Sequence, residues 1–193
     1  MNKVIFIDRD GTINVDEKGY ISKPEQFNLF PFAIEAIKGF RKLGYKVVVV
    51  TNQSGIARGY YTFADLEKVH QRFKDLLSEA DTYVDAILVA PYHPEGVVEP
   101  YNVVHEDRKP SIGLLKKYFS ECNFKTSESF MIGDKLSDIE FGVNYNLKTI
   151  LVLTGNGINT FKKGFNPDTK PDYVLDNLLS VVELLKKIKY KGE

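Results

Sequence analysis

Apolar and polar positions along this chain follow two rhythms. Short aliphatic runs at Lys3 to Ile7, Lys46 to Val50, Ala86 to Val89, Ser129 to Ile132 and Thr149 to Leu153 are separated by longer segments whose apolar residues recur every three or four positions. A weaker run at Tyr173 to Leu175 closes the series. Continuous apolar runs of this length suit strands buried on both faces, and the periodic segments suit amphipathic helices. The pattern therefore predicts βαβ units in an α/β three-layer sandwich with a mostly parallel central sheet.

The periodic segments carry their own start and stop signals. Phe32, Ile34, Ile37, Phe40, Arg41 and Leu43 form one stripe, and Gly44 stands where a helix C-terminal cap belongs. The next helix is expected to take Thr62 as N-cap, with Asp65 in its first turn and Leu66, Val69, Phe73, Leu76 and Leu77 inward. A third should follow Lys109-Pro110, capped by Ser111, with Leu114, Leu115 and Tyr118 facing the core. A fourth spans Leu136 to Val143, and a last one runs from about Asn177 to Tyr190, its lysines clustered near the negative end of the helix dipole. Two stretches fit neither rhythm, Gly11 to Pro31 and Pro91 to Arg108. Both leave from the carboxyl ends of strands, where the ligand crevice of an open parallel sheet lies.

Composition narrows the partner. A chain of 193 residues, 43% of them hydrophobic, is enough for one domain over residues 1–193 with a loop excursion at about 91–108, and the interval between Thr51 and Lys109, already filled by one helix, one strand and one loop, leaves no room for a large cap. Lys+Arg and Asp+Glu both total 26, so nothing draws the chain to nucleic acid or an anionic membrane, and a small soluble partner is expected. Apolar stretches fall far short of the roughly 20 residues that span a bilayer, and the N-terminus enters a strand directly; a cytoplasmic monomer is the expectation. The single cysteine, Cys122, excludes an intramolecular disulfide and a zinc site built on several thiolates.

The candidate chemistry sits where strands end. The first run closes on Asp8-Arg9-Asp10-Gly11-Thr12, a carboxylate pair that repels itself unless a cation or a proton is shared. The second closes on Thr51-Asn52-Gln53-Ser54-Gly55, whose hydroxyls and turn amides suit an anion. Arg108-Lys109-Pro110 precedes a helix, and Gly133-Asp134-Lys135-Leu136-Ser137-Asp138 follows the fourth strand. Acid pair, hydroxyl, lysine and second acid pair thus converge on one crevice.

In that order the four segments resemble the haloacid dehalogenase superfamily, whose motifs are Asp-x-Asp-Gly-Thr, a strand-terminal Thr or Ser, a Lys, and Gly-Asp-x-x-x-Asp. The resemblance implies a nucleophile at Asp8 that forms an aspartyl-phosphate, and a general acid and base at Asp10. It also implies Thr51 as a donor to the phosphoryl oxygens and Lys109 as the counter-charge. Magnesium would be held by the Asp8 carboxylate, the Asp10 backbone carbonyl and Asp134, with Asp138 behind them or reaching through water.

Longer stretches narrow the branch: Asp8 to Asn14, Gly19-Tyr20, Thr51 to Gly59, Arg108 to Pro110 and Gly133 to Lys135 look like the D-glycero-D-manno-heptose 1,7-bisphosphate 7-phosphatases, enzymes of bacterial nucleotide-heptose biosynthesis. Histidinol-phosphate phosphatases resemble the pattern closely too, so that substrate or another sugar phosphate stays open, as does transfer to an acceptor hydroxyl. The heptose resemblance implies substrate contacts at Asp16, Gly19, Tyr20, Asn52, Gln53, Ser54, Arg108 and Lys135, with Arg58 as a further cation for a distal phosphate. The chain departs from the family at its zinc loop. Ala90-Pro91-Tyr92-His93-Pro94 and His105-Glu106-Asp107 stand where thiolates are usual. Zinc is therefore not expected, weak metal binding by His93, His105 and Asp107 stays open, and Tyr92 and Tyr101 are expected to pack as small-core aromatics.

Overall fold

The structure, a computed structural model, describes residues 2–16, 19–121 and 124–191. Cys122 and part of the Asp16 to Tyr20 segment lie outside the described residues. Six strands form one sheet: β1 (Lys3–Ile7), β2 (Tyr45–Asn52), β3 (Ala86–Ala90), β4 (Phe130–Gly133), β5 (Lys148–Val152) and β6 (Tyr173–Leu175). Every pairing is parallel, in the order β3-β2-β1-β4-β5-β6.

Strand alternation builds two cores from one sheet. In β1, Ile5 and Ile7 face one layer, where they meet Val47, Val49, Ile132 and Ile150. Val4 and Phe6 face the other, with Val48, Val50 and Met131. The first layer is covered by α1 (Ala33–Lys42), α2 (Phe63–Glu79) and α6 (Leu178–Lys191); the second by α3 (Gly113–Glu121) and α4 (Leu136–Asn144). Burial on both faces is the reason these strands read as continuous apolar runs.

The caps mostly follow the local signals. The Thr62 hydroxyl accepts from the Asp65 amide at 3.2 Å, and the Asp65 carboxylate accepts from the Thr62 amide at 3.1 Å, so two otherwise orphaned donors are met at the start of α2. Gly44, at φ +86°, ends the α1 segment in a backbone conformation that side chains disfavour. The α1 stripe is rotated from the expected one. Ala33, Ala36, Ile37 and Phe40 are buried, whereas Phe32 and Ile34 are half-buried.

Two expectations are corrected. Helix α3 begins at Gly113, past the expected Ser111 cap, because the Ser111 amide closes a turn on the Arg108 carbonyl at 2.9 Å and the Gly113 amide reaches the Glu106 carbonyl at 2.7 Å. A short helix, α5 (Gly157–Lys163), was not anticipated; it buries only Gly157 and Thr160, too little for a periodic stripe.

The chain leaves β1 toward β2 and β3, then returns to place β4 on the other side of β1. This reversal opens a crevice beyond the carboxyl ends of β1 and β4. Among the described residues, no helix is long and apolar enough to cross a membrane. Replacing Thr62 with Ala should cost about 1 kcal/mol through the lost cap. Urea unfolding reads this as a lower midpoint at unchanged slope; an unchanged midpoint would show that the cap contributes nothing.

Candidate active site

Asp8 follows β1 and extends its ladder, its amide donating to the Ile132 carbonyl at 2.9 Å. Asp134 directly follows β4. Parallel pairing of β1 with β4 therefore brings together two carboxylates far apart in sequence, and the first turns of α4 add Asp138. One oxygen from each of Asp8, Asp134 and Asp138 lies within 4.8 Å of the other two, and all three residues are buried. Such a group requires cations or shared protons.

Two lysines answer it. Lys109 Nζ, itself buried, stands 2.8 Å from Asp8 Oδ1, 2.7 Å from Asp138 Oδ1 and 2.7 Å from the Val50 carbonyl. Burial alone would push this ammonium down; Asp138 and Asp8 outweigh it and hold it above its ordinary value. Burial likewise pushes Asp8 up, but Lys109 and Lys135 more than offset it, so Asp8 is held ionised below the usual carboxylate range. Asp138 rises, because burial and the Asp8 charge outweigh Lys109.

Lys135 Nζ lies 3.2 Å from the Asp10 carbonyl, 3.9 Å from Asp8 Oδ2 and 4.0 Å from Asp134 Oδ1. Its ammonium thus approaches the three groups that the family resemblance implies as magnesium ligands. Burial, reinforced by Asp8 and Asp138 and partly opposed by Lys135, pushes Asp134 up to about 7. Buried oxygen donors with an excess of negative charge fit magnesium, which favours carboxylate and carbonyl ligands.

The backbone around these groups is tightly determined. The Arg9 carbonyl accepts from the amides of Thr12, Ile13 and Asn14, which folds the turn after β1. Gly11 has φ +89°, and a Cβ there would run into the Asp134 carboxylate, so only glycine fits. Asp134 Oδ2 accepts from the Asn156 amide at 2.7 Å, and Thr154 Oγ1 donates to the Gly11 carbonyl at 2.7 Å. The segment leading into α5 thus supports the site, a role missed in the sequence although Thr154-Gly155-Asn156-Gly157 after β5 is a turn signal.

Several residues expected at substrate have other partners. Asn52 donates to the Lys109 carbonyl at 3.1 Å and accepts from the Lys109 amide at 3.0 Å, which fixes the lysine's backbone. Gln53 is buried; its amide donates to Asp10 Oδ2 at 2.7 Å and to Thr51 Oγ1 at 2.8 Å, and its carbonyl accepts from the Tyr61 hydroxyl at 2.5 Å. Thr51 is buried at the end of β2, and Ser54 is half-buried in the following turn. Arg9 and His70, which the motifs do not single out, are both buried; Arg9 bonds Asp10, and His70 meets Arg9. His70 was legible as a member of the inward stripe between Leu66 and Phe73.

The mouth is lined by the two long loops. Asp16 is half-buried with one carboxylate oxygen that no donor meets; burial and the Asp10 charge push it up to about 6. It borders a cavity of about 200 Å³ with Val15, Tyr20, Gln26 and Asn28. Gly19 turns the chain there at φ +86°, and Tyr20 packs edge-on against Tyr60 at 4.7 Å. Arg108 is half-buried and donates from Nη1 to the Tyr92 carbonyl at 3.1 Å. Arg58 pairs with Glu95 at 3.0 Å and lies against His93. The Tyr92 ring stacks on His105 at 3.6 Å and approaches Tyr101, which meets Phe63. Asp107, buried, pairs with Lys117. His105 Nδ1 accepts from the Asp107 amide at 3.1 Å and stands 3.6 Å from the Asp107 carboxylate, whereas His93 lies against Arg58.

Comparison with known proteins identifies the arrangement. D-glycero-beta-D-manno-heptose-1,7-bisphosphate 7-phosphatase of Haemophilus influenzae is 37% identical over 190 residues, covering 98% of this chain and 100% of its own length. The Chlorobaculum tepidum D-glycero-D-manno-heptose-1,7-bisphosphate 7-phosphatase is 40% identical, with 93% of this chain and 92% of its own covered. The chain belongs to the D-glycero-D-manno-heptose-1,7-bisphosphate 7-phosphatase family. The HAD-hydrolase-like family description matches residues 107–181. The crystal structure of D,D-heptose 1,7-bisphosphate phosphatase from B. bronchiseptica, complexed with magnesium and phosphate, superposes with a TM-score of 0.85 at 29% identity, covering 96% of this chain and 99% of that one. This heptose-phosphatase family member is a phosphatase of the haloacid dehalogenase fold.

Its buried histidine has a consequence for acid stability. Burial, with the Arg9 cation, pushes His70 down to about 3, whereas unfolded histidine titrates near pH 6.5. The unfolded chain takes up a proton that the folded chain refuses, so stability is lost as pH falls from about 6.5 toward 3, by about 1.4 kcal/mol per pH unit from this group. In urea titrations between about pH 7 and 4, the wild type should lose stability more steeply than His70→Gln; parallel curves would remove this contribution.

Proposed function

We propose that this protein hydrolyses the 7-phosphate of D-glycero-D-manno-heptose 1,7-bisphosphate through a phosphoaspartate on Asp8. The observation that carries the reading is a buried Asp8 held ionised by Lys109 and Lys135 beside Asp10, which follows two residues later. A carboxylate kept in its charged form within a low-dielectric crevice is prepared as a nucleophile. Asp8 attacks phosphorus, the bond from phosphorus to the sugar oxygen breaks, and Asp10 delivers a proton to that oxygen. Asp10 then takes a proton from the water that attacks the phosphoaspartate, releasing phosphate and restoring the Asp8 carboxylate.

Asp8, the Asp10 carbonyl and Asp134 would hold magnesium, with Asp138 behind them. When bound, the cation supplies charge neutralisation to the phosphoryl oxygens. Thr51 donates to those oxygens, and Lys109 balances the charge shared by phosphate and Asp8. Arg108 suits the distal phosphate: it is held at the crevice wall by Tyr92, and a guanidinium makes forked contacts to phosphate. Arg58, paired with Glu95, lies on the loop beyond it, Lys135 adds positive charge beside Asp8 and the Asp10 carbonyl, and Asp16, Tyr20 and Ser54 face the sugar.

Asp8→Asn should keep the fold and bind substrate while turnover is abolished; measurable phosphate release above background would remove Asp8 as the nucleophile. The substrate is tested by magnesium-dependent phosphate release from both heptose 1,7-bisphosphate anomers, histidinol phosphate and fructose 1,6-bisphosphate. Catalytic efficiency should favour one heptose anomer by about a hundredfold, roughly 2.7 kcal/mol of transition-state discrimination. A higher efficiency on histidinol phosphate would transfer the assignment to that substrate.

A further inference from the structure

Arg9 lies between two acids in sequence, yet it is fully buried and turned toward the α2 layer, its guanidinium carbon 5.8 Å from the centre of the Phe27 ring. A buried guanidinium must have its donors met. Nε and Nη2 of Arg9 grip the Asp10 carboxylate at 2.7–2.9 Å, and Nη1 stands 2.9 Å from Nε2 of His70. Because a guanidinium cannot accept, Nε2 of His70 is the acceptor and the ring carries its proton on Nδ1. The Asp10 carboxylate also takes hydrogen bonds from Asn14 at 3.1 Å and Gln53 at 2.7 Å.

We propose that His70 is a positioning residue for the phosphatase reaction: it anchors the far end of Arg9, and so fixes the orientation of the Asp10 carboxylate. This rests on the reading of Asp10 as general acid and base. A fork held at one end can pivot about its long side chain; held at both ends, it cannot. The anchor must be neutral, because a protonated imidazole would set a second cation against Arg9 and would lose its acceptor. It sits on the buried face of α2, with Val69 and Phe73 buried near it in the helix. A helix outside the four motifs thereby reaches the reacting groups through one side chain.

The measurement is kcat/KM on two substrates that differ in their need for a proton on the leaving oxygen. D-glycero-D-manno-heptose 1,7-bisphosphate releases a poor alkoxide; 4-nitrophenyl phosphate releases a good phenolate. Since kcat/KM reports steps up to phosphoaspartate formation, the hydrolysis shared by both substrates drops out. His70→Leu should lower kcat/KM on the sugar phosphate by about tenfold or more and on the aryl phosphate by no more than about threefold. His70→Gln, whose side-chain carbonyl can accept from Arg9, should recover most of the loss. Wild-type efficiency on both substrates in His70→Leu, or an equal loss on both, overturns the proposal.

If His70→Leu does not fold, Arg9→Lys, which keeps the charge and gives up the fork, is judged by the same two assays. Asp10→Asn is measured in parallel. Where Asp10→Asn shows the split and the His70 and Arg9 variants do not, the positioning role alone fails. Where Asp10→Asn shows no split, the acid role of Asp10 fails and the proposal with it. If the heptose substrate itself is not turned over, fructose 1,6-bisphosphate serves as the poor-leaving-group substrate without altering these outcomes.

Discussion

One buried ammonium organises the molecule around the ends of its central strands. Lys109 Nζ lies between Asp8 and Asp138 and on the Val50 carbonyl, with almost no access to solvent. Three carboxylates gathered behind β1 and β4 would repel one another in a medium that screens poorly. Removing one partner from a buried pair of this kind typically costs about 3–5 kcal/mol, since the charge left behind cannot be hydrated. The lysine therefore permits the negative cluster to exist, and the cluster supplies the oxygen donors that would hold a metal cation.

Other parts of the fold can be understood as holding this arrangement still. Asn52, at the end of β2, binds the backbone of Lys109 from both sides, which ties the third helix segment to the sheet edge. The Asn156 amide and Thr154 hydroxyl brace Asp134 and the Gly11 turn from the far side. On the α2 side, Arg9 and Gln53 converge on Asp10. Each acid thus has a distinct electrostatic setting. Asp8 is held ionised by lysines, Asp134 is pushed toward neutrality by burial and like charge, and Asp10 is gripped by a fork of donors.

The loop at about 91–108 reaches a fixed form through ordinary side-chain packing. Tyr92 on His105, Tyr101 on Phe63, and Asp107 with Lys117 hold its two arms. Stacked rings and an ion pair with one buried partner are individually modest, but they converge on the short stretch that precedes Lys109. Loop geometry and the placement of Arg108 are therefore coupled, because the Tyr92 carbonyl is also the acceptor for Arg108.

Much of this was legible in the sequence for a local reason. Continuous apolar runs and helical stripes place β1, β2, β4 and α2 because the residues that decide burial lie within the elements they form, and the Thr62 cap and Gly44 terminus are set by immediate neighbours. The motif acids, Thr51 and Lys109 were visible because each stands just after a strand or before a helix, and parallel pairing carries those ends to one edge. Helix α5 was not visible, since seven residues with two buried positions leave no periodic trace. Nor were the uses of Asn52, Gln53, Arg9 and His70. Their residue types fit a solvated turn, a substrate contact or a core position equally well. Only the tertiary structure decided among these: whether a polar side chain meets substrate or another side chain depends on which donors and acceptors burial leaves within reach, and those come from segments distant in the chain.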